Sequence, residues 1–150
     1  MIRKADINDA KQIYELVSYF AKKNLVMPRS LNEIYENIRD YWVFDENKKI
    51  IGSCGLHIVG WEGLAEIKSL VVARNKQRKG IGSQLIKNCL EEAKRLKVKK
   101  IFALTYISSF FKKFGFRKIS KKHLPHKIWA ECCHCPKFPG CDEEAMIFIN

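Results

Sequence analysis

Apolar and polar residues follow two periods along the chain, and the switches between them lay out the elements. The segment Ile2-Arg3-Lys4 reads as a short first strand. Ala10, Ile13, Tyr14, Val17, Phe20 and Ala21 recur at helical spacing, with Asn8 or Asp9 placed to cap that helix. Pro28 interrupts the loop that follows. Ser30-Leu31-Asn32-Glu33 then reads as a capping box for a second helix with Ile34, Tyr35 and Ile38 on one face. Strands over 41–44 and 50–59 flank the polar turn 45–49 and predict a hairpin. A second turn over 60–63 leads into a long strand, 64–72. Past the glycine pair Gly80 and Gly82, a long amphipathic helix carries Leu85, Ile86, Cys89, Leu90, Ala93 and Leu96. A short apolar strand over 101–104 follows, then a short helix capped by Ser108 or Ser109 and stopped at Gly115. Strands over 116–120 and 145–149 enclose a Pro-, Cys- and Lys-rich stretch at about 121–142. The order predicts an α/β (α+β) fold in a single domain over 1–150.

Composition narrows the classes. At 150 residues and 47% apolar, the chain can bury a sizeable core without disulfides. No apolar run is long enough to predict a transmembrane helix. The opening Met-Ile-Arg-Lys-Ala-Asp is not the pattern of a signal peptide, so a cytoplasmic protein is expected. The formal charge of +12 calls for an anionic partner, but it rests on 21 Lys against 7 Arg. Arginine is the side chain that reads guanine with a bidentate fork. Neither nucleic acid nor a membrane is therefore the expected partner, and a small anionic ligand is. A homodimer stays open.

The most informative stretch is Leu70-Val71-Val72-Ala73-Arg74-Asn75-Lys76-Gln77-Arg78-Lys79-Gly80-Ile81-Gly82-Ser83. A strand runs into a basic, glycine-bearing turn that opens a helix, an arrangement suited to pyrophosphate. A Walker loop is excluded because Gly-Lys-Ser/Thr is absent. A dinucleotide fingerprint fails because Leu85 stands where its third glycine belongs. Gln/Arg-x-x-Gly-x-Gly/Ala is satisfied by Gln77, Gly80 and Gly82. The plainer alternative is that the glycines only make a tight turn.

With that motif, the element order and the later Phe110-Phe111-Lys112-Lys113-Phe114-Gly115-Phe116, the chain resembles the GNAT superfamily of acetyl-CoA-dependent acetyltransferases over nearly its whole length. The resemblance implies a mixed central sheet of about seven strands flanked by helices, splayed between the 64–72 and 101–104 strands. It places acetyl-CoA with its pantetheine on the backbone of Leu70, Val71 and Val72. Its pyrophosphate would meet Gln77, Arg78, Lys79, Gly80, Ile81, Gly82 and Ser83, with Phe111 also beside the cofactor. Pro28-Arg29-Ser30, Gly55-Leu56-His57, Glu66 to Val72 and Phe102-Ala103-Leu104-Thr105 further resemble the short stand-alone form of bacterial N-acetylglutamate synthases. So do Leu124-Pro125, Lys127-Ile128-Trp129 and Cys135-Pro136-Lys137-Phe138-Pro139. That resemblance implies L-glutamate as acceptor, in arginine biosynthesis, with Arg29 and His57 on the substrate side. A guanidinium grips a carboxylate in a fork.

In such a reaction an amine attacks a thioester, and a base must take its proton. Glu66, on the strand expected to hold the thioester, is the first choice, and His57 is the reserve. Strand alternation would put Glu66, Lys68, Leu70 and Val72 on one face. A surface ion pair with Lys68 is the competing reading of Glu66. A backbone N–H near Val71 would meet the oxyanion. The family's Phe-Tyr signature has its Tyr replaced by Phe111, so the usual general acid does not carry over. Tyr106 or Ser108 could substitute; equally, a thiol with a pKa of about 8.5 leaves without an assigned acid. Two alternatives stand beside this reading. One is a GNAT enzyme for a protein lysine, a polyamine or a xenobiotic amine. The other is a non-catalytic acetyl-CoA-binding regulator.

Of six cysteines, Cys54 and Cys89 sit singly in apolar segments, as small hydrophobes do. Cys132, Cys133, Cys135 and Cys141 cluster. Cys132 and Cys135 have the spacing of a zinc knuckle, with Cys141 as a third ligand and Cys133, His123, His126 or His134 as a fourth. No second Cys-x-x-Cys completes the pattern, so zinc stays a candidate and the metal-free tail is the preferred reading. The tail would then pack through Trp129 and Phe138.

Overall fold

Two successive left-handed residues, Asn47 (φ 52°) and Lys48 (φ 68°), close the first hairpin, because a two-residue type I′ turn needs positive φ at both positions. The Asp45 carboxylate accepts the Lys48 N–H at 2.8 Å and holds that turn. The hairpin joins β2 (Tyr41–Glu46) to β3 (Lys49–Ile58), with a bulge between Phe44 and Asp45. A computed structural model describes residues 1–60, 63–123 and 143–150. In it the other strands are β1 (Ile2–Lys4), β4 (Leu64–Val72), β5 (Lys100–Thr105), β6 (Arg117–Ile119) and β7 (Glu144–Ile149). The helices are α1 (Ala10–Ala21), α2 (Leu31–Glu36), α3 (Ile81–Arg95) and α4 (Ser108–Lys112). The described strands form one seven-stranded sheet in the order β1-β2-β3-β4-β5-β7-β6. Pairing is antiparallel except between β4 and β5, so the sheet is mixed, as expected. The parallel ladder runs only from Leu64↔Lys100 to Glu66↔Phe102. A short shared start is what a splayed pair requires.

Chain packing divides the described residues into two compact units, Met1–His57 with Ile67–Glu92, and Ile58–Glu66 with Ala93–Asn150. In the first unit Ala10, Ile13, Val17 and Phe20 bring one face of α1 onto Ile34, Tyr41, Val43, Ile50 and Val71. Tyr14, expected on that face, lies at its exposed edge. Asp9 stands at the N-cap of α1, as expected, but its side chain makes no capping bond to that helix. A one-turn 3-10 segment, Ile7–Asp9, precedes α1, and Asp6 caps it by accepting the Asn8 N–H at 2.8 Å. The Asp9 carboxylate turns back to the Asp6 N–H (2.8 Å) and is gripped at both oxygens by Arg3 (2.7 and 2.9 Å). Arg3 also reaches Asp45 at 3.0 Å, so one guanidinium ties the first strand, the first helix and the hairpin.

The start of α3 approaches β3 closely at Gly52, where a Cβ would lie 3.1 Å from both Ile81 Cγ2 and Leu85 Cδ1. Toward the other end of α3, Glu92 accepts the Trp42 indole N–H (2.9 Å) and pairs with Lys4 (3.0 Å). Leu85, Ile86 and Cys89 are fully buried, whereas Leu96 is exposed because α3 ends one residue before it. The expected capping box at Ser30 is half formed. Ser30 accepts the Glu33 N–H, but the Glu33 carboxylate pairs with Arg29 instead of turning back.

In the second unit Phe102, Ala145 and Ile147 form a small core with Leu64, Leu104 and Ile119 packed against it. Phe111 meets Phe116 edge-on (ring centroids 5.1 Å), and Phe116 tilts against Phe148 (5.4 Å). Helix α4 stops at Lys112, and the turn beyond it closes at Gly115 (φ 96°). Neither Ser108 nor Ser109 caps this helix. Thr105 Oγ1 accepts the Ile107 N–H at 2.8 Å, and the Ser108 hydroxyl donates to Glu144 at 3.0 Å.

The Arg3 bond holds the Asp9 carboxyl below its ordinary pKa, and its stabilisation is therefore present above the unfolded value and lost as pH falls below it. Asp9→Asn should cost about 2 kcal/mol at neutral pH by urea denaturation. The deficit should stay constant down to about pH 5 and shrink below about pH 3.9.

Candidate active site

Strand β4 carries the conformational anomaly on which the site is built. Ser69 has φ 54°, the only non-glycine left-handed residue among those described that lies inside a strand. Such a residue makes a bulge and interrupts the two-residue alternation. The single-face grouping expected for Glu66, Lys68, Leu70 and Val72 therefore does not hold across Ser69. Burial instead runs unbroken from Ala65 to Ser69, and Val71 joins the α1 core. The Ser53 hydroxyl donates to the Ser69 carbonyl oxygen (3.0 Å), and the Tyr41 hydroxyl lies 3.3 Å from Ser69 Oγ.

Beyond Val72 the chain makes one 3-10 turn, Arg74–Lys76, passes through extended Gln77, and turns left-handed at Arg78 (φ 63°) and Gly80 (φ 81°). The Gln77 side-chain amide donates to the Val72 carbonyl at 3.0 Å and closes the turn. A Cβ on Gly80 would meet nothing within 4 Å, so this glycine answers to backbone conformation and the turn stands open on that side. The Gly80 carbonyl accepts the Gln84 N–H (3.1 Å), the first rung of α3. The N–H groups of Ile81, Gly82 and Ser83 precede that rung and face outward along the helix axis. Arg74, Lys76, Arg78 and Lys79 crowd the same turn. Lys76 is engaged by Glu46 at 2.8 Å and holds that carboxyl below its ordinary range. Amide donors with cationic side chains suit an anion as dense as a pyrophosphate.

A second polar group gathers in the same unit around Tyr41, which is 1% exposed. Burial pushes its phenol pKa up, the Ser69 bond and Arg29 oppose the shift, and Glu33 and Asp40 add to it. The phenol stays protonated at neutral pH. Arg29 is itself only 6% exposed and pairs with Glu33 at 3.1 Å. His57 Nδ1 lies 2.7 Å from Asp40 Oδ2. In a neutral ring Nδ1–H donates to the carboxylate, which leaves the lone pair on Nε2. Sequence reasoning named Arg29 and His57 but missed Tyr41, Asp40, Ser53 and Ser69. A signal was present: Ser53 and Ser69 are polar residues inside runs that otherwise read as core.

In the other unit Glu66 is 6% exposed, and Phe111 is buried in the aromatic cluster. Tyr106 is 38% exposed, just past the end of β5. Cys54 and Cys89 are buried free thiols with sulfurs 3.5 Å apart. The zinc question at Cys132, Cys135 and Cys141 lies outside the described residues, and so do Leu124 to Phe138. Among the described residues no helix is long and apolar enough to cross a membrane.

Residues 8–116 match the Acetyltransferase (GNAT) family. The chain belongs to this family. It is an acetyl-CoA-dependent N-acetyltransferase, and the glycine turn lies where the chemistry of its donors suits the diphosphate of coenzyme A. The chain is 37% identical over 146 residues to an uncharacterized N-acetyltransferase of Chlorobaculum tepidum, covering 97% of this chain and 94% of the other. It is 28% identical over 136 residues to an amino-acid acetyltransferase of Mycobacterium tuberculosis, covering 89% and 77%. The same fold occurs in N-acetylglutamate synthase from Neisseria gonorrhoeae, solved with coenzyme A and N-acetyl-glutamate. There the TM-score is 0.87 at 19% identity, over 99% of this chain and 34% of that one.

Proposed function

We propose that this acetyltransferase acetylates the α-amine of a free amino acid with two carboxylates, L-glutamate, whose product feeds arginine biosynthesis. The observation that carries the reading is the buried guanidinium of Arg29 at the head of α2. A buried cation must be matched by negative charge, and a substrate carboxylate can share it with the half-exposed Glu33. The similarity to the amino-acid acetyltransferase of Mycobacterium tuberculosis supports the same acceptor class.

In this reading the backbone of Leu70, Val71 and Val72 takes the pantetheine and thioester. Gln77, Arg78 and Lys79, with the amides of Gly80, Ile81, Gly82 and Ser83, hold the pyrophosphate. A backbone N–H near Val71 meets the developing oxyanion. The attacking amine must lose its proton. Glu66 is the base favoured by its place on β4. The 2.7 Å bond from Asp40 to His57 favours His57, whose ring is oriented with one nitrogen left to accept.

Three measurements test the reading. Gly82→Glu adds negative charge to the first turn of α3, which favours the helix but repels a pyrophosphate. Calorimetry should show acetyl-CoA affinity falling at least about a hundredfold, ~2.7 kcal/mol, with the circular dichroism spectrum unchanged. Across a panel of amino acids, polyamines and lysine peptides, L-glutamate should be the best acceptor. Arg29→Ala should raise KM for glutamate about tenfold or more, and KM for acetyl-CoA less than about twofold. A lysine peptide turned over faster than glutamate would reject the acceptor. Last, removal of the true base lowers kcat at neutral pH, and the deficit closes as pH rises because the amine deprotonates unaided. His57→Asn and Glu66→Gln measured from pH 6 to 10 tell which residue it is.

A further inference from the structure

We infer that Tyr41 is a positioning residue for acetyl transfer: its phenol, together with Ser53, clamps Ser69 in the left-handed conformation and thereby sets the strand segment Leu70–Val72. The inference rests on the reading above that this segment holds the thioester.

The remaining non-glycine residues with positive φ among those described, Asn24, Asn47, Lys48, Arg78 and Lys97, lie in turns where the chain reverses or changes element. Ser69 lies in mid-strand, between buried Lys68 and partly buried Leu70. A serine pays for this backbone state with strain that its surroundings must offset. Two buried hydroxyls from two different strands do so. Ser53 of β3 donates to the Ser69 carbonyl at 3.0 Å, and Tyr41 of β2 lies 3.3 Å from its Oγ. The Tyr41 ring lies against Gly55, its cross-strand partner. A Cβ there would lie 3.4 Å from Tyr41 Cε1. Each bond fixes a different part of Ser69, one the peptide and one the side chain. Without them Ser69 can relax to extended backbone, and a one-residue change of alternation would redirect every residue after it. The segment redirected is Leu70 to Val72. The pyrophosphate turn is held separately by the Ala73 N–H bond to the Ile51 carbonyl (2.7 Å) and by the seating of α3 on Gly52. Losing the clamp should therefore slow transfer more than it weakens acetyl-CoA binding.

The test uses four variants of the full chain, assayed with whichever acceptor the amine panel selects. Tyr41→Phe keeps the ring and removes the hydroxyl; Ser69→Ala removes the other partner and stands in should the first fold poorly. Both should lower kcat about tenfold, with KM for acetyl-CoA changed less than about twofold. Ser69→Gly adopts positive φ without help and should remain near wild type. On that background Tyr41→Phe should cause no further loss. NMR on ligand-free protein gives a second readout, because the HN–Hα coupling and Cα shift of Ser69 report its φ and should move toward extended values in Tyr41→Phe. Wild-type kcat in both Tyr41→Phe and Ser69→Ala would overturn the inference. So would a tenfold loss from Tyr41→Phe that persists on the Ser69→Gly background, or an unchanged Ser69 signal in Tyr41→Phe. A wrong acceptor shows in the wild-type panel, whereas a wrong clamp shows only in these variants.

Discussion

A strand in mid-sheet commits its N–H and C=O groups to its neighbours, and a left-handed residue within it breaks that commitment locally. Strand β4 does so at Ser69. The left-handed residue stops the alternation, and the parallel ladder to β5 has already ended at Glu66↔Phe102. What surrounds the break is built to hold it. Tyr41 and Ser53 bond Ser69, and Val71 anchors the far side in the α1 core. The strain of one residue is met by buried hydrogen bonds from the adjacent strand β3 and from β2 beyond it, where low dielectric makes such bonds count.

Charge is distributed by the same logic of local commitment. The net +12 is spread mostly over lysines, yet several ionic groups in the first unit are individually matched. Asp9 is gripped by Arg3, Arg29 by Glu33, and the partly buried His57 by Asp40. The basic turn after β4 differs. Arg78 and Lys79 lie beside a left-handed glycine with open space on its Cβ side, at the start of a helix seated on β3. Matched ions tie the elements of the first unit together, whereas Arg78 and Lys79 stand exposed at the turn.

Most of the fold was legible along the chain. Strand β4 and the short first strand have the boundaries expected from their apolar patterns, and the strand-turn-helix unit around Gly80 and Gly82 falls where the motif placed it. These features repeat or contrast within a few residues, so local physics suffices to read them. Capping was legible only in part. Ser30 caps α2 as expected, but Asp9, at the N-cap of α1, makes no side-chain capping bond there, because its carboxylate is held by Arg3 and the Asp6 N–H. Arg3 reaches Asp45 from 42 positions away, and no pattern in either segment announces the other.

The candidate site divides along the same line. The glycine turn is a contiguous motif, and its strand-turn-helix form was legible in the sequence because glycine and helix-start requirements act on neighbouring residues. The cluster around Tyr41 draws on positions 29, 33, 40, 53, 57 and 69, and only tertiary structure brought them together. The fate of Ser69 shows the reason. Its φ depends on hydroxyls 16 and 28 positions earlier in the chain. A strand pattern in the sequence reports which residues seek burial, and it cannot report a backbone reversal that distant partners impose.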